Sequence, residues 1–291
     1  MREDDLRAST NIEDRRGGGG FGGVRTGGLG LGAVVVLTLL GWAFGVDPSA
    51  LINGAQQVSS GPAQQYASGP ARTGTPTDQV GQFVARVLGE TEDVWSEVLP
   101  QEAKRAYTKP VLVLYSHVTS SGCGTAQSAM GPFYCPTDRK LYLDTSFFQD
   151  MQRRMGGGGD FAYAYVIAHE VGHHIQNLLG LLPRVQQAER QAATDAEANG
   201  LSVRTELMAD CLAGVWANHM NQRHGNIGRD DVQQAVATAS AIGDDRLREA
   251  SGRAAVPDSF THGSAAQRVR WLTTGLQQGT IASCNTFQAQ P

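Results

Sequence analysis

The sequence predicts a helix-dominated α+β domain with a small antiparallel sheet, preceded by one transmembrane helix. Three observations carry this prediction. After residue 160, apolar residues recur at helical spacing between glycine-containing breaks. Two short segments, 111–115 and 141–143, have the composition of strands. The run 26–46 is strongly apolar and contains no charged residue.

The run 26–46 has the length of a membrane-spanning helix, which needs about 20 apolar residues. Arg15, Arg16 and Arg25 precede it, and the next basic residue is Arg72. The positive-inside bias therefore places the N-terminus in the cytoplasm and the rest of the chain outside. A cleaved signal peptide is an alternative, although the run is long and begins late for one. A buried core helix is another, but it does not explain the polar, glycine-rich flanks.

These features divide the chain into four parts. Residues 1–25 form a polar, glycine-rich cytoplasmic tail, and 26–46 form the single-pass anchor in the cell membrane. Residues 47–77 are a flexible linker, because a Gly, Ser, Pro, Gln and Thr composition cannot bury a core. Residues 78–291 form one extracytoplasmic domain.

The charge balance argues against a nucleic-acid partner. The formal net charge is −4, with 24 basic and 28 acidic residues. A chain that binds nucleic acid through its phosphates carries a basic patch or a strongly basic balance. We therefore expect none.

The four cysteines, Cys123, Cys135, Cys211 and Cys284, form no Cys-x-x-Cys pair. A cysteine-rich structural zinc site is therefore not expected, whereas an even number fits disulfides in an oxidising compartment. Cys123 with Cys135 would close a short loop between two predicted strands. Cys211 with Cys284 follows by elimination, with buried free thiols as the alternative for that pair.

One predicted helix carries candidate metal ligands. It begins after four glycines at Asp160, a good N-cap, and stops at Gly180. His169 and His173 are four residues apart and so project from one face, where both can bind one zinc ion. Glu170 then lies beside the open position of the metal and can accept a proton from a water there.

The surroundings of this motif favour a metal site over a solvated helix face. The helix is apolar and rich in alanine, and buried His and Glu side chains need partners. His174 lies about 100° further round the helix. We expect it to support a ligand or to pack in the core, and not to bind the metal.

A third ligand is expected further along the chain. Glu206 and Asp210 lie four residues apart within an apolar segment of small residues, where carboxylates are costly without partners. We assign Glu206 as the zinc ligand and Asp210 as the acceptor of a ligand histidine's ring N–H. The alternative is a surface ion pair, with Arg204 for example.

The sequence resembles the bacterial neutral zinc metallopeptidase family. The resemblance runs nearly end to end and rests on His169-Glu-Val-Gly-His-His174, Glu206-Leu-Met-Ala-Asp-Cys-Leu-Ala-Gly214, Asn11-Ile-Glu-Asp-Arg-Arg-Gly17, Gly131-Pro-Phe-Tyr-Cys-Pro136 and Val256-Pro-Asp-Ser-Phe-Thr-His-Gly263. The family is similar to gluzincins. The resemblance implies a zincin-like fold, a single membrane span, one zinc ion on His169, His173 and Glu206, and Glu170 as catalytic base.

Together these features predict a membrane-anchored zinc endopeptidase acting on peptides or proteins. His262 is a candidate donor to the developing oxyanion, with bracing of its loop as the alternative. By analogy with zinc peptidases, the strand at 141–143 is expected to bind substrate by main-chain pairing. Two hypotheses compete with the enzyme: a zinc-binding interaction or chaperone-like membrane protein with little activity, and a protein with a purely structural zinc.

Overall fold

The computed structural model describes residues 1, 4–16, 71–127, 130–148 and 159–288. In these ranges it confirms a helix-dominated α+β fold with small sheets. The helices are α1 Gln79–Ala103, α2 Asp160–Leu178, α3 Leu181–Gln191, α4 Asp195–His224, α5 Arg229–Ala241, α6 Asp244–Ala250 and α7 Ala265–Gln278. The strands are β1 Ile12–Asp14, β2 Arg72–Thr73, β3 Val111–Tyr115, β4 Val118–Ser121, β5 Gly124–Gln127, β6 Phe133–Cys135 and β7 Lys140–Asp144. Short 3₁₀ turns occupy Pro257–Ser259 and Ile281–Cys284.

The main sheet is mixed, so the prediction of an antiparallel sheet is wrong. Its strand order is β2-β1-β3-β7-β6. The β1–β3 and β3–β7 pairs are parallel, whereas β1–β2 and β6–β7 are antiparallel. The chain can bring β1 and β3 together in parallel because α1 lies between them in sequence. β4 and β5 form a separate hairpin.

Residues 4–16 are part of the folded domain. β1 lies between β2 and β3, and Ile12 is only 1% exposed. Ahead of it, the backbone runs so close to α1 that a Cβ on Gly89 would lie 2.0 Å from the carbonyl oxygen of Arg7. The Glu92 carboxylate on α1, 0% exposed, accepts hydrogen bonds from Arg7, Ser9 and Asn11. The N-terminal segment therefore belongs to the core of the domain.

The predicted transmembrane helix at 26–46 and most of the predicted linker at 47–77 lie outside the described residues. Within the part of the chain that the structure describes, no helix is long and apolar enough to cross a membrane. The predicted boundaries need correction, because β1 and β2 precede residue 78 and share one sheet with β3. A single crossing at 26–46 would separate β1 from both partner strands. The predicted topology, with the N-terminus inside and the domain outside, conflicts with this sheet.

The helices pack around α4, whose middle section is buried. At its contact with α7 both backbones come very close. A Cβ on Gly214 of α4 would lie 2.3 Å from the Leu272 carbonyl oxygen. The structure contains both disulfides, Cys123–Cys135 and Cys211–Cys284. The first joins the β4–β5 turn to β6, and the second joins α4 to the C-terminal 3₁₀ turn.

The ends of α2 differ in detail from the sequence prediction. Asp160 is the first helical residue and not the N-cap, a position that Gly159 occupies with no side-chain hydrogen bond. Gly159 has φ 149°, where a side chain would be strained, and a Cβ would lie 2.0 Å from the Gln234 amide oxygen. Gly180 follows the end of the helix with φ 71°, as a helix stop requires.

Candidate metal centre

Three side chains from two helices converge at one point. His169 and His173 come from α2 and Glu206 from α4, with one ligand atom from each within 4.8 Å of the others. The His169 Nε2 atom lies 3.2 Å from Glu206 Oε2, and His173 Nε2 lies 3.4 Å from Glu206 Oε1. The structure thus brings together the three residues that the sequence predicts as ligands, and they could hold a metal ion.

Close packing of α2 on α4 makes this convergence geometrically feasible. A Cβ on Gly172 would stand 3.0 Å from the carbonyl oxygen of Ala209 and 3.1 Å from its Cα. Gly172 lies just before the second histidine, and Ala209 lies between the two carboxylates of α4. Because both are small, the helices approach closely and the short Glu206 side chain reaches the two imidazoles.

The second nitrogen of each imidazole is bonded to another side chain. His169 Nδ1 lies 2.8 Å from Asp210 Oδ1, and His173 Nδ1 lies 2.9 Å from the Gln176 amide oxygen. The Gln176 amide nitrogen donates to the Thr205 carbonyl at 2.6 Å, which leaves its oxygen as the acceptor. With a metal bound, both histidines would carry their proton on Nδ1. Each would then offer the Nε2 lone pair to the shared site, as metal ligation requires.

Asp210 lies where the sequence predicts the acceptor of the histidine N–H. Its carboxylate is 0% exposed and also accepts hydrogen bonds from Tyr165 at 2.6 Å and from Arg268 at 2.9 Å on each oxygen. Burial disfavours the charged form, but the Arg268 guanidinium and His169 together outweigh it and lower the pKa of Asp210 to about 2. Asp210 is therefore a permanently ionised acceptor for His169.

Glu170 differs from the other two carboxylates of the centre. It is 8% exposed, and burial raises the pKa of its carboxyl group, while the neighbouring histidines partly offset that shift. Within the described residues, no hydrogen bond reaches its carboxylate. Asp210 is held by Tyr165, His169 and Arg268, and Glu206 lies against the Nε2 atoms of both histidines, so Glu170 is the carboxylate of the centre that remains available for proton transfer.

His174 is a core residue of the opposite helix face, in agreement with its position in the sequence. It is 0% exposed and donates from Nε2 to the Thr108 carbonyl at 2.6 Å. Its Nδ1 accepts the Tyr134 hydroxyl at 3.0 Å. Burial lowers the pKa of His174 to about 4, so the ring stays neutral. It anchors α2 to β6 and not to the metal.

His262 lies in the segment between the Pro257–Ser259 turn and α7. Its ring Nδ1 is 3.3 Å from Asp244 Oδ1, while Asp244 Oδ2 accepts the backbone N–H groups of Thr261, His262 and Gly263. Burial opposes the charged form, but Asp244 and Glu206 raise the pKa of His262. A Cβ on the neighbouring Gly263 would lie 3.1 Å from the Leu207 side chain, so this segment packs against α4, the helix that carries Glu206.

The sequence analysis did not predict the roles of three residues of the site: Gln176, Tyr165 and Arg268. Gln176 follows His173 by three residues, on the same helix face. Arg268 could have been found from its position in the sequence. It lies on the same helix face as the buried residues of α7, which are Ala265, Trp271, Leu272 and Gly275. A basic residue on an apolar helix stripe indicates a buried carboxylate partner.

The donor set fits zinc. Two imidazole nitrogens and one carboxylate are a common protein ligand set of catalytic zinc, which keeps a further position open. Among the described residues, this cluster has no fourth His, Cys, Asp or Glu. The side chains of His173 and Glu206 remain 13% and 20% exposed, so one side of the centre faces solvent. This arrangement disfavours a purely structural zinc, which would be closed by four protein ligands.

Comparisons with known proteins agree with the site. The family model described as "Putative neutral zinc metallopeptidase" matches residues 1–287. The chain is 46% identical over 295 residues to "Uncharacterized protein YpfJ" of Escherichia coli strain K12, covering 99% of each. It is 41% identical over 257 residues to "Uncharacterized protein Rv2575" of Mycobacterium tuberculosis, covering 84% of each. No solved structure matches. The chain belongs to the neutral zinc metallopeptidase family that this model describes.

Proposed function

We propose that the protein is a zinc-dependent endopeptidase that hydrolyses peptide bonds with Glu170 as general base. The observation that carries the proposal is the position of Glu170. It follows the first histidine ligand, is buried, and has no hydrogen bond from the described residues, whereas Asp210 is held by three side chains and Glu206 lies against the Nε2 atoms of both histidines. A metal-binding scaffold needs His169, His173 and Glu206 but has no use for a free carboxyl group beside them.

The residues of the centre divide the chemistry among them. His169, His173 and Glu206 would hold the zinc ion, which would act as a Lewis acid toward the substrate carbonyl and a water molecule. Glu170 accepts a proton from that water as its oxygen attacks the carbonyl carbon. Burial raises the pKa of Glu170, which improves it as a base and lets it return the proton to the leaving amine as the C–N bond breaks.

His262 is the proposed donor to the oxyanion that develops on the carbonyl. Asp244 supports this role, because it fixes both the backbone at 261–263 and the ring Nδ1 of His262. With Nδ1 bonded to Asp244, the other ring nitrogen is left to face the substrate. A preorganised donor of this kind contributes about 10²- to 10³-fold to turnover.

The strand 141–143 does not bind the substrate by main-chain pairing. It is β7, which lies between β3 and β6 and has both edges occupied, so its assignment as the substrate-binding strand is wrong. β6 does not replace it, because the Tyr134–His174 hydrogen bond places β6 against the face of α2 that is opposite the metal ligands.

We propose that the described part of the chain works in one oxidising, extracytoplasmic compartment. Two disulfides favour such a compartment for the domain. β1 shares its sheet, so the N-terminal segment belongs on the same side. Attachment to the membrane through residues 26–46 stays a prediction from hydropathy. It is compatible with the sheet only if the residues before and after this run lie on the same side of the membrane.

The function is tested with the full-length protein, measuring zinc content and cleavage of a diverse peptide library. Glu170→Gln should keep its zinc and lose about 10²- to 10⁴-fold in turnover. His262→Gln should keep its zinc and lose about 10²- to 10³-fold. Glu189→Gln, a half-buried carboxyl group on α3, is the control and should match the wild type.

Two results would overturn the proposal. Zinc-loaded wild type that cleaves no peptide in the library would identify a zinc-binding interaction or chaperone-like protein. Equal cleavage by Glu170→Gln and wild type would remove Glu170 from the reaction. Zinc content distinguishes both from a protein that has lost its metal.

A further inference from the structure

We propose that Arg268 is a positioning residue for the metal centre: through Asp210 it sets the orientation in which His169 presents Nε2 to the metal. The proposal rests on the zinc site described above. It assigns a role to α7, which supplies none of the three ligands and contacts the centre through this side chain.

Arg268 donates two hydrogen bonds to the Asp210 carboxylate from one edge of its guanidinium. Its Nε donates to Oδ2 and its terminal NH2 group donates to Oδ1, each at 2.9 Å. This two-bonded geometry fixes the plane of the carboxylate as well as its position. Since Oδ1 is also the atom that faces His169 Nδ1 at 2.8 Å, fixing the plane fixes the imidazole.

Arg268 is itself rigidly held. It is 3% exposed, and its other terminal nitrogen donates to the Ile242 carbonyl at 3.3 Å. Tyr165, which donates to Asp210 Oδ1 at 2.6 Å, lies one turn before His169 on α2. The three helices α2, α4 and α7 therefore meet at a single carboxylate oxygen, directly behind a metal ligand.

A merely structural role does not require this arrangement. A buried ion pair is weak evidence for stability, because desolvation of both groups opposes the attraction between them. An apolar contact would join α7 to α4 with no such penalty. What the ion pair adds is a carboxylate of fixed orientation next to the Nδ1 atom of His169.

The test is the zinc affinity of the full-length protein, measured by competition with a chromophoric chelator well below the unfolding temperature. Arg268→Met should raise the zinc dissociation constant about 10- to 100-fold, the usual effect of removing support behind a metal ligand. The matched control is Arg270→Met on the same helix, where Arg270 stacks on Trp271 instead. It should leave the constant unchanged.

A double-variant comparison of Arg268 and Asp210 distinguishes a positioning role of Arg268 from a purely stabilising one. In an Asp210→Asn background, Arg268→Met should produce no further loss of zinc affinity, because the effect passes through Asp210. If Arg268→Met does not fold, Arg268→Lys replaces it. Lysine keeps the charge but not the two-bonded contact, and should raise the constant about 3- to 10-fold.

The outcomes are distinguishable. Wild-type zinc affinity in a folded Arg268→Met or Arg268→Lys protein, with only a lower melting temperature, would overturn the positioning role and leave the zinc enzyme intact. Equal losses from Arg268→Met with and without Asp210 would also overturn it. Wild type that binds no zinc would overturn the metal centre and this inference together.

Discussion

Gly275 on α7 lies directly against the backbone of Cys211 on α4: a Cβ at position 275 would stand 1.9 Å from the Cys211 carbonyl oxygen. No side chain can yield here, because the obstructing atom belongs to the backbone of a buried helix. The contact sets the distance between the two helices, and Arg268 reaches Asp210 across the same interface. The close contact at Gly275 thus helps to hold α7 at the distance from which Arg268 reaches the Asp210 carboxylate.

Gly275→Ala should destabilise the protein by about 3 kcal/mol or more, at the upper end of the range for overpacking a buried contact. Gly200→Ala is the control, since Gly200 lies inside α4 with nothing within 4 Å of an added Cβ. It should stabilise the protein by about 0.5–1 kcal/mol through helix propensity. Urea denaturation measures both changes. Equal effects would contradict the close contact.

Ile12→Ala should destabilise the domain by about 2–5 kcal/mol, because Ile12 is 1% exposed in the middle of the sheet. Val80→Ala, at an apolar position that is 40% exposed, should change the stability by less than about 0.5 kcal/mol. The free energy of unfolding of the full-length protein gives both values. A neutral Ile12→Ala would show that residues 1–16 form a separate tail.

His174 should make the domain less stable in mild acid. Burial lowers its pKa to about 4 from an ordinary value of 6.5, so between these values the unfolded chain binds a proton that the folded one does not. Stability therefore falls as the pH decreases through this window, by about 2–3 kcal/mol between pH 7.5 and pH 4.5. His174→Gln should lose this part of the pH dependence. Identical slopes for both proteins in denaturation at the two pH values would refute the assignment.

The two disulfides should differ in their contribution to stability. Cys211 and Cys284 are 73 residues apart, and Cys123 and Cys135 only 12. On the chain-entropy model, replacing the first pair by alanine costs about 4 kcal/mol and replacing the second about 3 kcal/mol. Denaturation of the two double variants measures the difference. The opposite order would mean that strain or packing, and not loop length, dominates.

The sequence predicts the candidate ligands well because their spacing is local. His169 and His173 share a face of any helix, and Glu206 and Asp210 do the same. The structure adds only that these two helix faces pack against each other. The helix-dominated fold is predictable for the same reason. Gln176 is equally local, but its role emerges only from the contact between its amide oxygen and His173 Nδ1.

Other features could not be predicted because they depend on contacts between distant parts of the chain. β1 has three residues, two of them acidic, and no strand-like composition. Its partner Leu112 lies a hundred positions beyond Ile12, so nothing in the local pattern indicates the pairing. Arg268 meets Asp210 across two helices in the same way. The sheet direction could not be predicted, because the β1–β3 pair depends on this long-range contact and the β3–β7 pair depends on the path of the chain between the two strands.

The place of β1 in the sheet bears on how this protein can be prepared. A chain shortened to begin after the apolar run, the usual way to obtain a membrane-associated enzyme in soluble form, would lack the strand that joins β2 to β3. Leu112 and its neighbours would then present an open, apolar edge to other molecules. Such a fragment would be prone to aggregate, and its inactivity would say nothing about the intact protein.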